Sequence, residues 1–88
     1  MIVQFDRRAS ADLESIRTRI ALDSLKAAGR MYEELRAACA GLSDFPRQGR
    51  AASRSGLREL TTVRPYIIVY TVGATVRIRR IVHGARLR

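Results

Sequence analysis

Six arginines, at positions 58, 64, 77, 79, 80 and 86, and the only histidine, His83, fall within one stretch, 57–86 (LRELTTVRPYIIVYTVGATVRIRRIVHGAR). A guanidinium binds a phosphate or a carboxylate through two parallel N–H donors. An imidazole titrates near neutrality and can give or take a proton. Arg58, Arg79, Arg80 and Arg86 therefore offer either a phosphate clamp or a surface for the carboxylates of a partner protein, and the sequence does not separate the two. His83 stands beside Gly84 at the end of a predicted strand. It serves there either as an acid–base group or as a half-exposed ring stacked on a neighbour.

The charge is unevenly placed. Residues 1–44 carry seven basic and seven acidic groups, whereas residues 45–88 carry ten arginines against Glu59 alone. The net charge of +9 thus belongs to the second half, and sixteen of the seventeen basic residues are arginine. A one-sided field of this kind suits a polyanion or an acidic protein partner.

These residues must be positioned by a small fold. Eighty-eight residues make one domain, 1–88, with a single modest core. Ile2–Phe5 reads as a short opening strand. Ser10 is placed to cap a first helix, with Asp12 and Glu14 in its first turn and Leu13, Ile16 and Ile20 as its apolar stripe. Asp23 or Ser24 caps a second helix with the stripe Leu25, Ala28, Met31, Tyr32, Leu35, Ala38, Cys39 and Leu42. Phe45-Pro46 closes it, because proline cannot continue a helix.

Residues 47–56 (RQGRAASRSG) read as a loop. Three strands follow, Leu57–Thr62, Tyr66–Val72 and Thr75–Val82, rich in residues that fit a pleated surface. Gly73-Ala74 predicts a two-residue type II′ hairpin turn. The expected architecture is α+β, in the order β-α-α-β-β-β, with an αα-hairpin packed on one face of a three-stranded antiparallel sheet and the other face open.

Strand parity places Val76, Ile78, Arg80 and Val82 on one face and Arg77, Arg79, Ile81 and His83 on the other. The apolar count turns the first face inward and carries Arg80 with it, where Glu59 is the expected partner. Alternation alone leaves open which face meets solvent. Tyr66 and Tyr70 share a face and read as core, as do Cys39 and Met31.

Several classes are excluded. There is no GxxxxGK, GxGxxG, HExxH or GxSxG motif. One Cys and one His are too few soft ligands for a zinc site, so neither metal nor cofactor is expected. The opening MIVQFDRRAS lacks a secretory pattern, no apolar run reaches membrane-spanning length, and the lone cysteine has no disulfide partner. A cytoplasmic protein without a membrane partner is expected.

The segments in order resemble a known family. They are the opening strand with Ala9–Ile20 (ASADLESIRTRI), Leu42–Pro46 (LSDFP) leading to Gly49-Arg50, Gly56–Leu60 (GLREL), Pro65–Tyr70 (PYIIVY), and Ile78–Arg86 ending in HGAR. Over about 80 residues this series is similar to the ParE/RelE superfamily of type II toxin–antitoxin toxins. The resemblance implies a small basic growth-inhibiting toxin held in a heteromeric complex by a cognate antitoxin with an acidic tail.

RelE-type members cut mRNA on the ribosome, and ParE-type members poison DNA gyrase. For the first activity the resemblance assigns Arg58 and Arg80 as phosphate clamps and His83 as acid or base. RelE-type nucleases also bring lysines, a further acid–base residue or a C-terminal aromatic. Here 47–56 has no Lys, Glu or His, and no aromatic follows His83. The HGAR ending with the LREL and PYIIVY strands is closer to the ParE side. The expectation is a gyrase inhibitor acting by binding, with no catalytic residues and with Arg50, Arg58, Arg77, Arg79, Arg80, His83 and Arg86 as its partner-binding set.

Overall fold

The computed structural model describes residues 1–52 and 56–87, and of 86 and 87 the backbone alone. Its elements are β1 (Val3–Phe5), α1 (Arg7–Ala21), α2 (Leu25–Gly41), β2 (Arg50–Ala51), β3 (Leu57–Leu60), β4 (Tyr66–Val72), β5 (Val76–His83) and a closing 3₁₀ turn (Gly84–Leu87). They form one sheet in the order β1-β5-β4-β3-β2. The α+β class and the element order agree with the sequence reading, and the sheet gains two strands. β1 pairs with β5 in parallel, while the other pairings are antiparallel. β2 is two residues within the expected loop, too short to carry a periodic signal.

Helix α1 begins before Ser10, at Arg7, with Asp6 at its N-cap position. The Asp6 side chain makes no capping hydrogen bond there. Asp12 and Glu14 consequently lie in the second turn. Helix α2 is capped by Ser24, whose Oγ accepts from the Ala27 amide at 3.1 Å. Leu25, expected on the inner stripe, instead sits at the hairpin tip and is exposed, as is Leu22.

The rest of both stripes meets the inner face of the sheet. Ala9, Leu13, Ile16, Leu35, Cys39 and Leu42 pack on Leu60, Tyr66, Ile68, Tyr70, Val76, Ile78 and Ile81. Met31 packs against this core while half-buried. Burial pushes the Cys39 thiol up to about 12, against a smaller opposing effect of Arg36, so it remains protonated and inert.

Two turn regions differ from expectation. β4 and β5 pair through Val72 and Val76, leaving a three-residue connection, and Gly73 does not take the positive φ a type II′ turn needs. Among the described residues only Gly56 does, at φ 75°, on entry to β3. β3 ends at Leu60, and β5 runs one residue later than predicted at each end.

The parity question in β5 is resolved by a bulge. Val69 pairs with Arg80 but Tyr70 pairs with Ile78, so Arg79 is an extra residue. An inserted residue moves the inward face from one parity to the other. Val76 and Ile78 are buried before the bulge and Ile81 after it. Arg80 therefore escapes the core position that strict alternation assigns it.

Candidate functional site: two arginine clusters on one sheet

β1 pairs with β5 only as far as Ile78. Beyond that point the outer edge of β5 lies beside α1, and carboxylates take over from strand pairing. The Ile81 amide donates to Asp12 Oδ2 at 2.9 Å. Arg80 donates to the same carboxylate, from Nε at 2.8 Å and from Nη2 at 3.3 Å. Asp12 thus satisfies a strand-edge N–H and neutralises a guanidinium together. That hydrogen bond holds Arg80 even more firmly protonated than a free guanidinium.

The partner expected for Arg80 was Glu59. Glu59 instead pairs with Arg50 at 3.2 Å on the far strands, because β2 and β3 place the two opposite each other.

Between β1 and α1, Asp6 takes two more arginines. Arg77 reaches Oδ1 from Nη2 at 2.6 Å and from Nε at 3.1 Å, and Arg79 reaches Oδ2 at 2.9 Å. The hydrogen bonds from Arg79 and then Arg77 hold the Asp6 carboxyl below its usual 3.8. This is why Asp6 does not cap α1: its carboxylate turns to the bulged strand. Four of the expected partner-binding arginines, 50, 77, 79 and 80, are therefore already in ion pairs within the chain.

His83 ends β5 with its ring edge-on to Tyr66, centroids 5.7 Å apart. Nδ1 accepts the Ala85 amide at 3.2 Å, an assignment that leaves the proton of the neutral ring on Nε2. Arg80 and His83 line one groove of about 430 Å³ between α1 and the β5 edge, together with Asp12, Ser15, Arg19 and Tyr66. These last four were not singled out as site residues. For Asp12 the available signal was that seven of the eight acidic residues lie in the first half, so arginines of the second must reach there for carboxylates.

Arg58 belongs elsewhere. It stands opposite Tyr70, which is fully buried. Its Nη2 donates to the carbonyls of Gly49 at 2.6 Å and Arg47 at 3.1 Å. The Tyr70 hydroxyl donates to the Pro46 carbonyl at 2.8 Å and accepts the Gly49 amide at 2.9 Å. Gly49 is required by this approach: a Cβ there would lie 2.7 Å from both the Glu59 carbonyl oxygen and the Tyr70 hydroxyl. Arg58 Nε is enclosed and without a partner among the described residues, a cost the four hydrogen bonds offset.

Tyr70, opposite Arg58, and Tyr66, opposite His83, are four residues apart on β4, roughly 13 Å at about 3.3 Å per residue. The structure brings Arg80 and His83 together and leaves Arg58 apart. The Arg86 side chain lies outside the described residues.

A small α+β chain with a helical hairpin on one sheet face, and arginines clustered at its strands, defines a class that the comparisons identify. The family described as "ParE toxin of type II toxin-antitoxin system, parDE" matches residues 3–88. A solved structure described as "Chromosomal ParDE TA system from P. aeruginosa" superposes with a TM-score of 0.84 at 27% identity, covering 94% of this chain and 95% of that one. Toxin RelE2 of Caulobacter vibrioides is 47% identical over 81 residues, 91% of each chain. The chain belongs to the ParE toxin family of type II toxin–antitoxin systems.

Proposed function

We propose that this toxin acts by binding, that DNA gyrase is its target, and that a cognate antitoxin with an acidic tail neutralises it. The observation that carries the binding reading is that Arg58 stands apart from Arg80 and His83 and that both arginines are already engaged within the chain. A 2′-OH attack on phosphate requires cations and an acid–base group around one phosphorus. Arg58 is committed to the main chain of 47–49, and Arg80 is neutralised by Asp12. The ParE family match supports the gyrase side of the superfamily.

The test is a supercoiling assay with purified protein. Dose-dependent loss of supercoiling with trapped double-strand breaks, reversed by antitoxin, is expected. No effect at high micromolar protein would overturn gyrase as the target.

The groove shared by Arg80 and His83, and the name of the Caulobacter relative, favour a second reading as a ribosome-dependent mRNA endoribonuclease. His83→Gln separates the two. A binding toxin, for which His83 is one contributor among several, loses little potency, whereas a nuclease loses about 10²-fold or more, the scale of acid–base catalysis.

The antitoxin is expected to bind less tightly as salt rises, since exposed charges are screened within about 8–10 Å at ordinary ionic strength. Affinity that is flat from low to high salt would remove the acidic tail from this account.

A further inference from the structure

We propose that His83 is a positioning residue: through Nδ1 it fixes the closing turn 84–87, and it contributes to partner binding through that turn. The inference deepens the binding reading above and rests on it for the role of Arg86, which the turn carries. Strand β5 pairs with β4 as far as Tyr66 and His83, and the ladder ends there. The chain nevertheless stays on the sheet. The Gly84 amide donates to the Pro65 carbonyl at 2.8 Å, and the Ala85 amide donates to His83 Nδ1 at 3.2 Å. A Cβ at Gly84 would lie 3.1 Å from the Pro65 carbonyl oxygen and 3.7 Å from Ile67 Cδ1, so the turn is seated close against the start of β4.

The hydrogen bond from Ala85 also decides what His83 is able to do chemically. With Nδ1 accepting, the neutral ring carries its proton on Nε2 and has no lone pair left for a general base. Acting as a general acid requires the imidazolium, whose Nδ1–H would face the Ala85 N–H. Either role in proton transfer therefore breaks the turn. The ring is held as a support instead: Tyr66, itself buried, meets it edge-on with centroids 5.7 Å apart.

In an Asx turn the side-chain oxygen of Asn accepts the amide two residues on. His83 Nδ1, likewise one bond beyond Cγ, makes that bond to Ala85 in the same spacing. Chain termini are ordered only where something ties them down. Here the tie fixes the backbone that bears Arg86 before a partner arrives, which removes an ordering cost from the binding step.

The test is a double-mutant cycle read on growth arrest, with His83→Leu and Arg86→Ala singly and together, and His83→Asn alongside. Asn keeps an acceptor one bond beyond Cγ but cannot exchange a proton near neutrality. Leu keeps bulk against Tyr66 and loses the acceptor. His83→Leu is expected to speed amide exchange at Ala85 about fivefold and to lose about fivefold in potency, the scale of one hydrogen bond. His83→Asn is expected to match the wild type in both measurements. On top of Arg86→Ala, His83→Leu is expected to cost nothing further, because the two residues act as one unit.

Losses that multiply in the double variant overturn the proposal, since they make His83 a separate contact. Unchanged exchange at Ala85 in His83→Leu does the same, and so does full potency in Arg86→Ala, which leaves the turn nothing to position. A loss of about 10²-fold or more in His83→Asn also overturns it and returns His83 to acid–base catalysis. If the wild type spares gyrase while the cycle shows coupling, the gyrase reading fails and the positioning role stands.

Discussion

The Arg58 corner and the β5 edge both fasten a segment of irregular or unpaired backbone to the same sheet, and they do so with different physics. At the corner, one hydroxyl and one guanidinium satisfy main-chain groups of residues 46–49 within the protein, with no carboxylate involved. At the edge, three guanidiniums meet the carboxylates of Asp6 and Asp12 at half-exposed positions. The first is limited by shape and is indifferent to salt and pH. The second is limited by solvent, because exposed ion pairs contribute little and are screened. A toxin recognised through charge and held together by charge would compete with itself. Here the segment with the tightest steric demands is fixed without an ion pair, and the paired charges are kept where exchange of partners costs less.

The comparison can be broken most directly at Gly49. Gly49→Ala places a Cβ against backbone that cannot retreat, and should cost about 3 kcal/mol, the upper range for overpacking. That corresponds to a fall in Tm of roughly 12 °C or more in a domain of this size. An unchanged melting temperature would mean the corner is soft. Cys39 offers an independent reading: its buried thiol should resist alkylation at pH 8 in the wild type and label faster in this variant.

Tyr70→Phe should follow at about 2 kcal/mol, because it orphans the Gly49 amide and the Pro46 carbonyl while leaving the ring in place. The loss should be the same at pH 7 and pH 4, and in low and high salt. A strong salt dependence would erase the contrast drawn above.

Asp12→Ala comes next, at about 1.5 kcal/mol, since it strands the Ile81 amide along with Arg80. Asp12→Asn should recover part of this by keeping an acceptor for that amide. Equal losses in the two variants would assign the effect to charge alone.

Asp6→Asn should have the smallest effect on unfolding, and the most condition-dependent. The carboxyl is depressed below 3.8 in the fold, so its contribution is fully present above that value and is lost as pH falls through the lower, folded one. The wild type should therefore lose this stability only in the acid range below about pH 4, and Asp6→Asn should flatten that limb of the curve. A difference that persists undiminished in molar salt would show the Asp6 pairs to be better shielded than their geometry indicates.

The sequence by itself determined the α+β order, the helical hairpin, the β4 strand to its exact ends and the concentration of positive charge in the second half. These follow from periodicity, capping chemistry and composition, which are local properties of the chain. It also carried the family, through short segments whose spacing survives in linear form.

It did not reveal why those segments matter. Gly49, Arg58 and Tyr70 are 9 to 21 residues apart in the chain, and only the β3–β4 register folds them onto one corner. The partner of Arg80 was missed for a similar reason. Alternation is a local rule, and one inserted residue at Arg79 reverses it, so the strand turns its arginines to Asp6 and Asp12, about 70 positions away in the chain. Which arginine meets which carboxylate is decided by where α1 crosses the edge of β5, a fact of packing that no window of sequence contains.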